Sequence, residues 1–155
     1  MKKQLFTLLC VAFLGSMALA QTLQPSQVPS NVKKSLMTKY PKTVDLQWEK
    51  IGSNYQAQFL NGENWYAVVF TSAGEWVSTE RYGEEKDLST AVAQHIQANF
   101  SDGYISSVLI IEKPKTAKNY KIQIDFDNDS YELIYTHDGK LQSKTKTEYT
   151  DESED

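Results

Sequence analysis

Of the 155 residues only one is a cysteine, Cys10, and it lies within the first twenty. A chain with no further thiol builds neither a disulfide scaffold, a zinc–cysteine cluster nor a thiol enzyme. Its seven glycines are scattered and none forms a G-x-G pair, which removes the glycine-rich phosphate loops. Basic residues are the minority, 16 against 20 acids. That is a poor match for a phosphate backbone, so no nucleic-acid partner is expected. No apolar run reaches the ~20 residues of a spanning helix, so no stable membrane insertion is expected. Histidine is scarce too, with His95 and His137 the only two.

What is present begins with a leader. Met1-Lys2-Lys3 is a positive start, Leu5 to Leu14 is mostly apolar, and Ala18-Leu19-Ala20 offers small residues to a signal peptidase. This tripartite pattern predicts a signal peptide over residues 1–20, cut after Ala20, and a periplasmic or secreted product. Cys10 does not make a lipoprotein site, because Leu9 precedes it and it sits inside the apolar run. Taking away the leader's twenty residues and two lysines leaves 135 residues with 14 basic and 20 acidic groups, net −6. Residues 21–27 read as a flexible arm. Residues 148–155 hold five acids and no aliphatic side chain, and read as a disordered acidic tail.

From Val28 the chain repeats itself. Val28, Val32, Leu36 and Tyr40 recur at a spacing of four, and Leu88, Val92, Ile96 and Phe100 do so sixty residues later. That spacing lines one helix face. Pro29 suits a first turn, Ser89 or Thr90 a cap, and Pro41 and Ser101-Asp102-Gly103 stop the helices. Further on, Tyr55 to Phe59 matches Tyr120 to Ile124, and Tyr66 to Gly74 matches Tyr131 to Gly139, both at an offset of 65. The segment Lys113 to Lys118 absorbs the change of offset as a polar loop. Each unit, 28–82 and 88–147, reads as one helix followed by four strands, and Asn61-Gly62 marks a hairpin. The expected fold class is α+β: a tandem repeat of helix plus four-stranded antiparallel meander, helices packed on one face, in a single domain over 28–147.

Alternation divides the strand faces. Tyr55, Ala57 and Phe59 point towards the helix, and Gln56 and Gln58 away from it. Tyr66, Val68 and Phe70 are inward, which leaves Trp65, Ala67 and Val69 on an outer face that is unusually apolar. With Gln56 and Gln58 on the same face and Trp48, Trp76 and Tyr82 at strand ends, these eight residues are the candidate binding face, since exposed aromatic patches mark recognition surfaces.

The order of these features resembles a family. Val28-Pro29 opens a helix to Tyr40-Pro41; Trp48-Glu49, Tyr55-x-Ala-x-Phe59, Val68-Val69-Phe70 and Gly74-Glu75-Trp76 follow. The pattern is similar to PepSY-like secreted proteins with a β-lactamase-inhibitor-protein-like fold, over roughly Val28 to Lys146. The resemblance implies tandem helix-plus-sheet units and a role in binding or inhibiting secreted hydrolases such as peptidases. It carries over no functional residue, and this chain lacks the cysteines that pin loops in the inhibitor protein.

Catalytic chemistry is thin. His95 falls mid-helix and His137 in the turn Thr136–Gly139, with no strained nucleophile turn nearby. Asp125-Phe-Asp127-Asn-Asp129 has calcium-loop spacing, but Ser130 stands where glycine is needed and Thr136 where the bidentate acid is needed. Glu84-Glu85 and Glu152/Glu154 fall in linker and tail, where nothing separates carboxyl pKa values. No catalytic residue, metal site or cofactor is therefore expected. The expected function is a non-enzymatic binding or inhibitory module for a periplasmic or secreted protein. The alternative is a periplasmic carrier or sensor of small molecules or polymer, which would need an enclosed pocket.

Overall fold

The apolar spacing of four in the two helical segments needs a surface to cover, and the alternating strands supply it. The computed structural model describes residues 21–147; the signal-peptide and acidic-tail expectations lie outside the described residues. The elements are β1 (Gln21–Leu23), α1 (Ser30–Lys39), β2 (Val44–Ile51), β3 (Asn54–Asn61), β4 (Asn64–Phe70), β5 (Trp76–Gly83), α2 (Thr90–Asn99), β6 (Tyr104–Glu112), β7 (Asn119–Asp125), β8 (Ser130–Thr136) and β9 (Leu141–Thr147). Short 3-10 turns, Pro25–Gln27 and Glu85–Asp87, precede the helices. Ser89 caps α2, its hydroxyl accepting from the Val92 backbone N–H at 3.3 Å. No helix among the described residues is long and apolar enough to cross a membrane.

The expected tandem of helix-plus-four-stranded meanders is corrected by the sheet itself. All strands join one nine-stranded antiparallel sheet in the order β1 to β9, and the described residues hold just two helices. The reason lies at the centre. Thr79–Gly83 of β5 pairs with Val108–Glu112 of β6, so two strand edges that separate meanders would leave bare satisfy each other instead. The flexible arm is corrected as well. Residues 21–23 pair with Trp48–Lys50, because Leu23 reaches apolar cover against Trp48 and becomes buried.

One face of the sheet carries both helices. Val32 and Leu36 of α1 pack on Trp48, Ala57, Phe59, Val68 and Phe70. Val92 and Ile96 of α2 pack on Val108, Ile110, Tyr120, Ile122, Ile124, Leu133 and Tyr135. The registers Phe59↔Tyr66, Tyr66↔Arg81, Arg81↔Ile110, Ile110↔Tyr120 and Tyr120↔Tyr135 place both clusters on the same side. Among the described residues, no helix lies over the other side.

Candidate functional site

The helix-free face is built in rows, because side chains on neighbouring strands stand opposite each other. One row runs Leu60 opposite Trp65, then Tyr82 opposite Leu109, Lys121, Ile134 and Ser143. The Trp65 and Tyr82 rings close the step between β4 and β5, with centroids 5.4 Å apart and a 49° tilt. From β3 to β8 this row spans roughly 24 Å at ~4.8 Å per strand. The next row runs Gln47, Gln58, Ala67, Glu80, Ile111, Asn119 and Thr136. A third holds Thr22, Glu49, Gln56, Val69 and Ser78.

Six of the eight sequence-predicted residues come together here: Trp65, Ala67, Val69, Gln56, Gln58 and Tyr82. Tyr82 is 45% exposed, Trp65 and Val69 are half-buried, and Ala67 and Gln58 are buried in the floor. Gln58 donates from Nε2 to Gln56 Oε1 at 3.5 Å.

The two remaining tryptophans are corrected. Trp48 is 2% exposed and belongs to the core under α1, in register with Leu23 and Ala57. Trp76 also packs on that core; its Nε1 donates to Thr79 Oγ1 at 2.9 Å and Lys39 Nζ lies 4.1 Å from its ring centroid. Both are in phase with inward residues, Trp48 with Leu46 and Trp76 with its partner Phe70. For Trp48 the polar neighbours Gln47 and Glu49 already signal the inward phase. Sequence reading missed Leu60, Leu109 and Ile111 on this face. The run Val108 to Ile111 is apolar on both sides of the strand and hides its alternation.

The polar groups of the face are unequal. Lys121 Nζ meets Glu132 at 2.9 Å. At the β6–β9 end, Asp125 accepts from Ser130, and Gln123 Nε2 bonds Ser130 and, at 2.8 Å, Thr147 Oγ1. Burial pushes the Asp125 carboxyl up, but hydrogen bonds from Ser130, Ser106, Gln123 and Tyr104 outweigh it and hold the group below the usual range. Asp129 is held instead by an ion pair with Lys146, so the calcium-like spacing does not converge. A folded-state carboxyl below its unfolded value contributes stability above the unfolded pKa and loses it as pH falls through the folded one. Asp125→Asn is therefore expected to cost about 1–3 kcal/mol at neutral pH. It should also flatten the acid limb below about pH 4, read from urea midpoints across pH.

The histidines are structural supports. His95 Nδ1 shares a hydrogen bond with Tyr135 Oη, and His137 Nδ1 with Tyr120 Oη, each at 3.0 Å. Burial drives the Tyr135 phenol up to about 12. Among the described residues no hydrogen bond joins either imidazole to a serine or a carboxylate. Two wide-mouthed grooves lie elsewhere on the surface. One is about 510 Å³, between α1 and Phe70, Gly74 and Trp76; the other, about 390 Å³, is lined by Lys113, Thr116, Asn119, His137 and Asp138. Neither encloses the convergent polar groups of a ligand site.

A family model described as "Putative beta-lactamase-inhibitor-like, PepSY-like" matches residues 53–143. Several solved structures share the fold. A DUF2874 family protein of Bacteroides ovatus is 25% identical, with TM-score 0.66 over 76% of this chain and 86% of that one. A "putative periplasmic" protein of Bacteroides eggerthii is 24% identical, with TM-score 0.68 over 77% and 88%. A BLIP-like protein of Bacteroides fragilis is 20% identical, with TM-score 0.64 over 81% and 92%. No curated protein matches the chain.

Proposed function

The chain belongs to the PepSY-like family, and from that premise we propose a secreted, non-enzymatic binding or inhibitory module that engages a periplasmic protein, a peptidase or other hydrolase. The observation that carries the reading is the row Leu60, Trp65, Tyr82 and Leu109, continued past Lys121 to Ile134, on a face that no helix among the described residues covers. A strip of aromatic and aliphatic groups with a buried polar floor has the make-up of a protein-binding patch, apolar at its centre and polar around it. Support for the class of partner comes from the BLIP-like relative, and support for the compartment from the relative described as periplasmic.

The test has two arms. Purified periplasmic peptidases and β-lactamases are titrated with the protein and assayed for lost activity, and the protein is used as bait in periplasmic extract. Trp65→Ala is expected to weaken binding at least about thirtyfold, as loss of a central aromatic anchor does. Its stability should fall by no more than about 2 kcal/mol, less than for a core tryptophan, because the half-buried ring lies on the open face beside Tyr82. Unchanged binding by Trp65→Ala would sink the proposal.

A further inference from the structure

The charged groups of the sheet are unevenly divided between its faces. Strand alternation puts Glu49, Glu80, Asp125 and Glu132 on the open side, with Lys121 and, just past the end of β6, Lys113 as the basic groups that act on Glu80, while Arg81, Lys144 and Lys146 stand on the helix side with the acid Glu112. Two of these acids are already engaged, Glu132 by Lys121 and Asp125 by Ser130. Glu80 is not: among the described residues no hydrogen bond or ion pair reaches its carboxylate. It sits at mid-strand, opposite Ala67 on one side and Ile111 on the other, on the same strand face as Tyr82.

An ionised carboxylate among apolar neighbours is costly unless a cation meets it. Burial pushes the Glu80 carboxyl up, and the more distant Lys121 and Lys113 only partly offset this. Ala67 is the small neighbour here, so no bulky side chain from β4 stands over the carboxylate. The Trp65–Tyr82 ring pair lies one row away, within reach of a stem that enters beside Glu80.

Resting on the reading above, we infer that the partner is a protein segment that sets a basic side chain, arginine above lysine, against Glu80 while its apolar neighbours cover Trp65 and Tyr82. Charge complementarity carries the choice of partner, with four acids on the docking side against Lys121, already paired with Glu132, and Lys113 at its margin. Arginine is favoured because its planar fork pairs with a carboxylate bidentately and also stacks on aromatic faces.

The test is selection of a phage-displayed random peptide library on the protein, followed by affinity measurement of the recovered peptides. Peptides carrying an arginine or lysine within an apolar run are expected. Glu80→Gln, which keeps shape and loses charge, should weaken them at least about tenfold, and selection on Glu80→Lys should switch to acidic peptides. Peptides that Trp65→Ala weakens but Glu80→Gln leaves unchanged would overturn the inference and leave the open-face reading standing. Failure to recover any peptide sensitive to Trp65→Ala would overturn both. Concentration-dependent self-association abolished by Glu80→Lys, seen in sedimentation, would assign the face to a second copy and also overturn it.

Discussion

Trp48→Ala is expected to destabilise the protein by about 3–5 kcal/mol, the usual cost of removing a large aromatic side chain from a packed core. Trp48 is 2% exposed and stands between Leu23 of β1 and Ala57 of β3, beneath Val32 and Leu36 of α1. Its removal opens a cavity at the point where the edge strand, the sheet and the helix meet. Neighbours held by two sheet registers and a helix have little freedom to collapse into that space. Against a typical total of 5–15 kcal/mol, the loss takes a large share of the stability. Urea unfolding followed by far-ultraviolet circular dichroism checks it, since tryptophan fluorescence itself changes in the variant. A midpoint near that of Trp65→Ala would show that Trp48 is not core. The two tryptophans thus separate stability from the proposed recognition, one on each face of the sheet.

The local elements were legible because their periods are strong. Val32 and Leu36, and Val92 and Ile96, fall at a spacing that a helix brings to one side, whereas a strand would bring the polar Lys34 and Gln94 to that side as well. Tyr55, Ala57 and Phe59 alternate with glutamines, so their inward phase could be read directly. The architecture was less legible, because a repeat in sequence says nothing about what its edge strands do. Joining β5 to β6 pairs Thr79–Gly83 with a segment that follows an intervening helix. β1 offers a single apolar residue, Leu23, to a strand more than twenty positions away. Such pairings depend on loop closure and non-local contact, which periodicity does not record.

The proposed binding face was half legible for the same kind of reason. Trp65, Ala67 and Val69 were placed by alternation, and the structure extends the Trp65 row across β5 to β8 through Tyr82, Leu109, Lys121 and Ile134. That extension exists only because the sheet is continuous, so the error about architecture also hid most of the surface. Glu80 was invisible in the sequence. A lone acid in an alternating strand reads as solvated, and only its neighbours Ala67 and Ile111 show it standing among apolar groups.

The last expected result concerns how the helices are seated. Gly139 ends the turn between β8 and β9 with φ +86°, and a Cβ there would lie 2.9 Å from both the Cβ and the carbonyl oxygen of Ala91 in the first turn of α2. An L side chain at such a φ costs about 1–2 kcal/mol. The contact adds to it, because Ala91 is backbone-anchored and next to the Ser89 cap, whose hydroxyl also donates to the His137 carbonyl at 2.6 Å. Gly139→Ala is therefore expected to cost about 2–4 kcal/mol in total. Gly62, in the β3–β4 hairpin at φ +67°, has nothing within 4 Å of its notional Cβ, so Gly62→Ala carries the backbone term alone. The difference between the two variants in urea midpoint measures how much of the fold depends on α2 resting directly on the turn. Equal costs would show that the helix yields and that the close approach contributes nothing. A larger cost at Gly139, with faster hydrogen exchange confined to α2, would show that the turn and helix form one support beneath β8 and β9, behind the stretch of open face that carries Ile134.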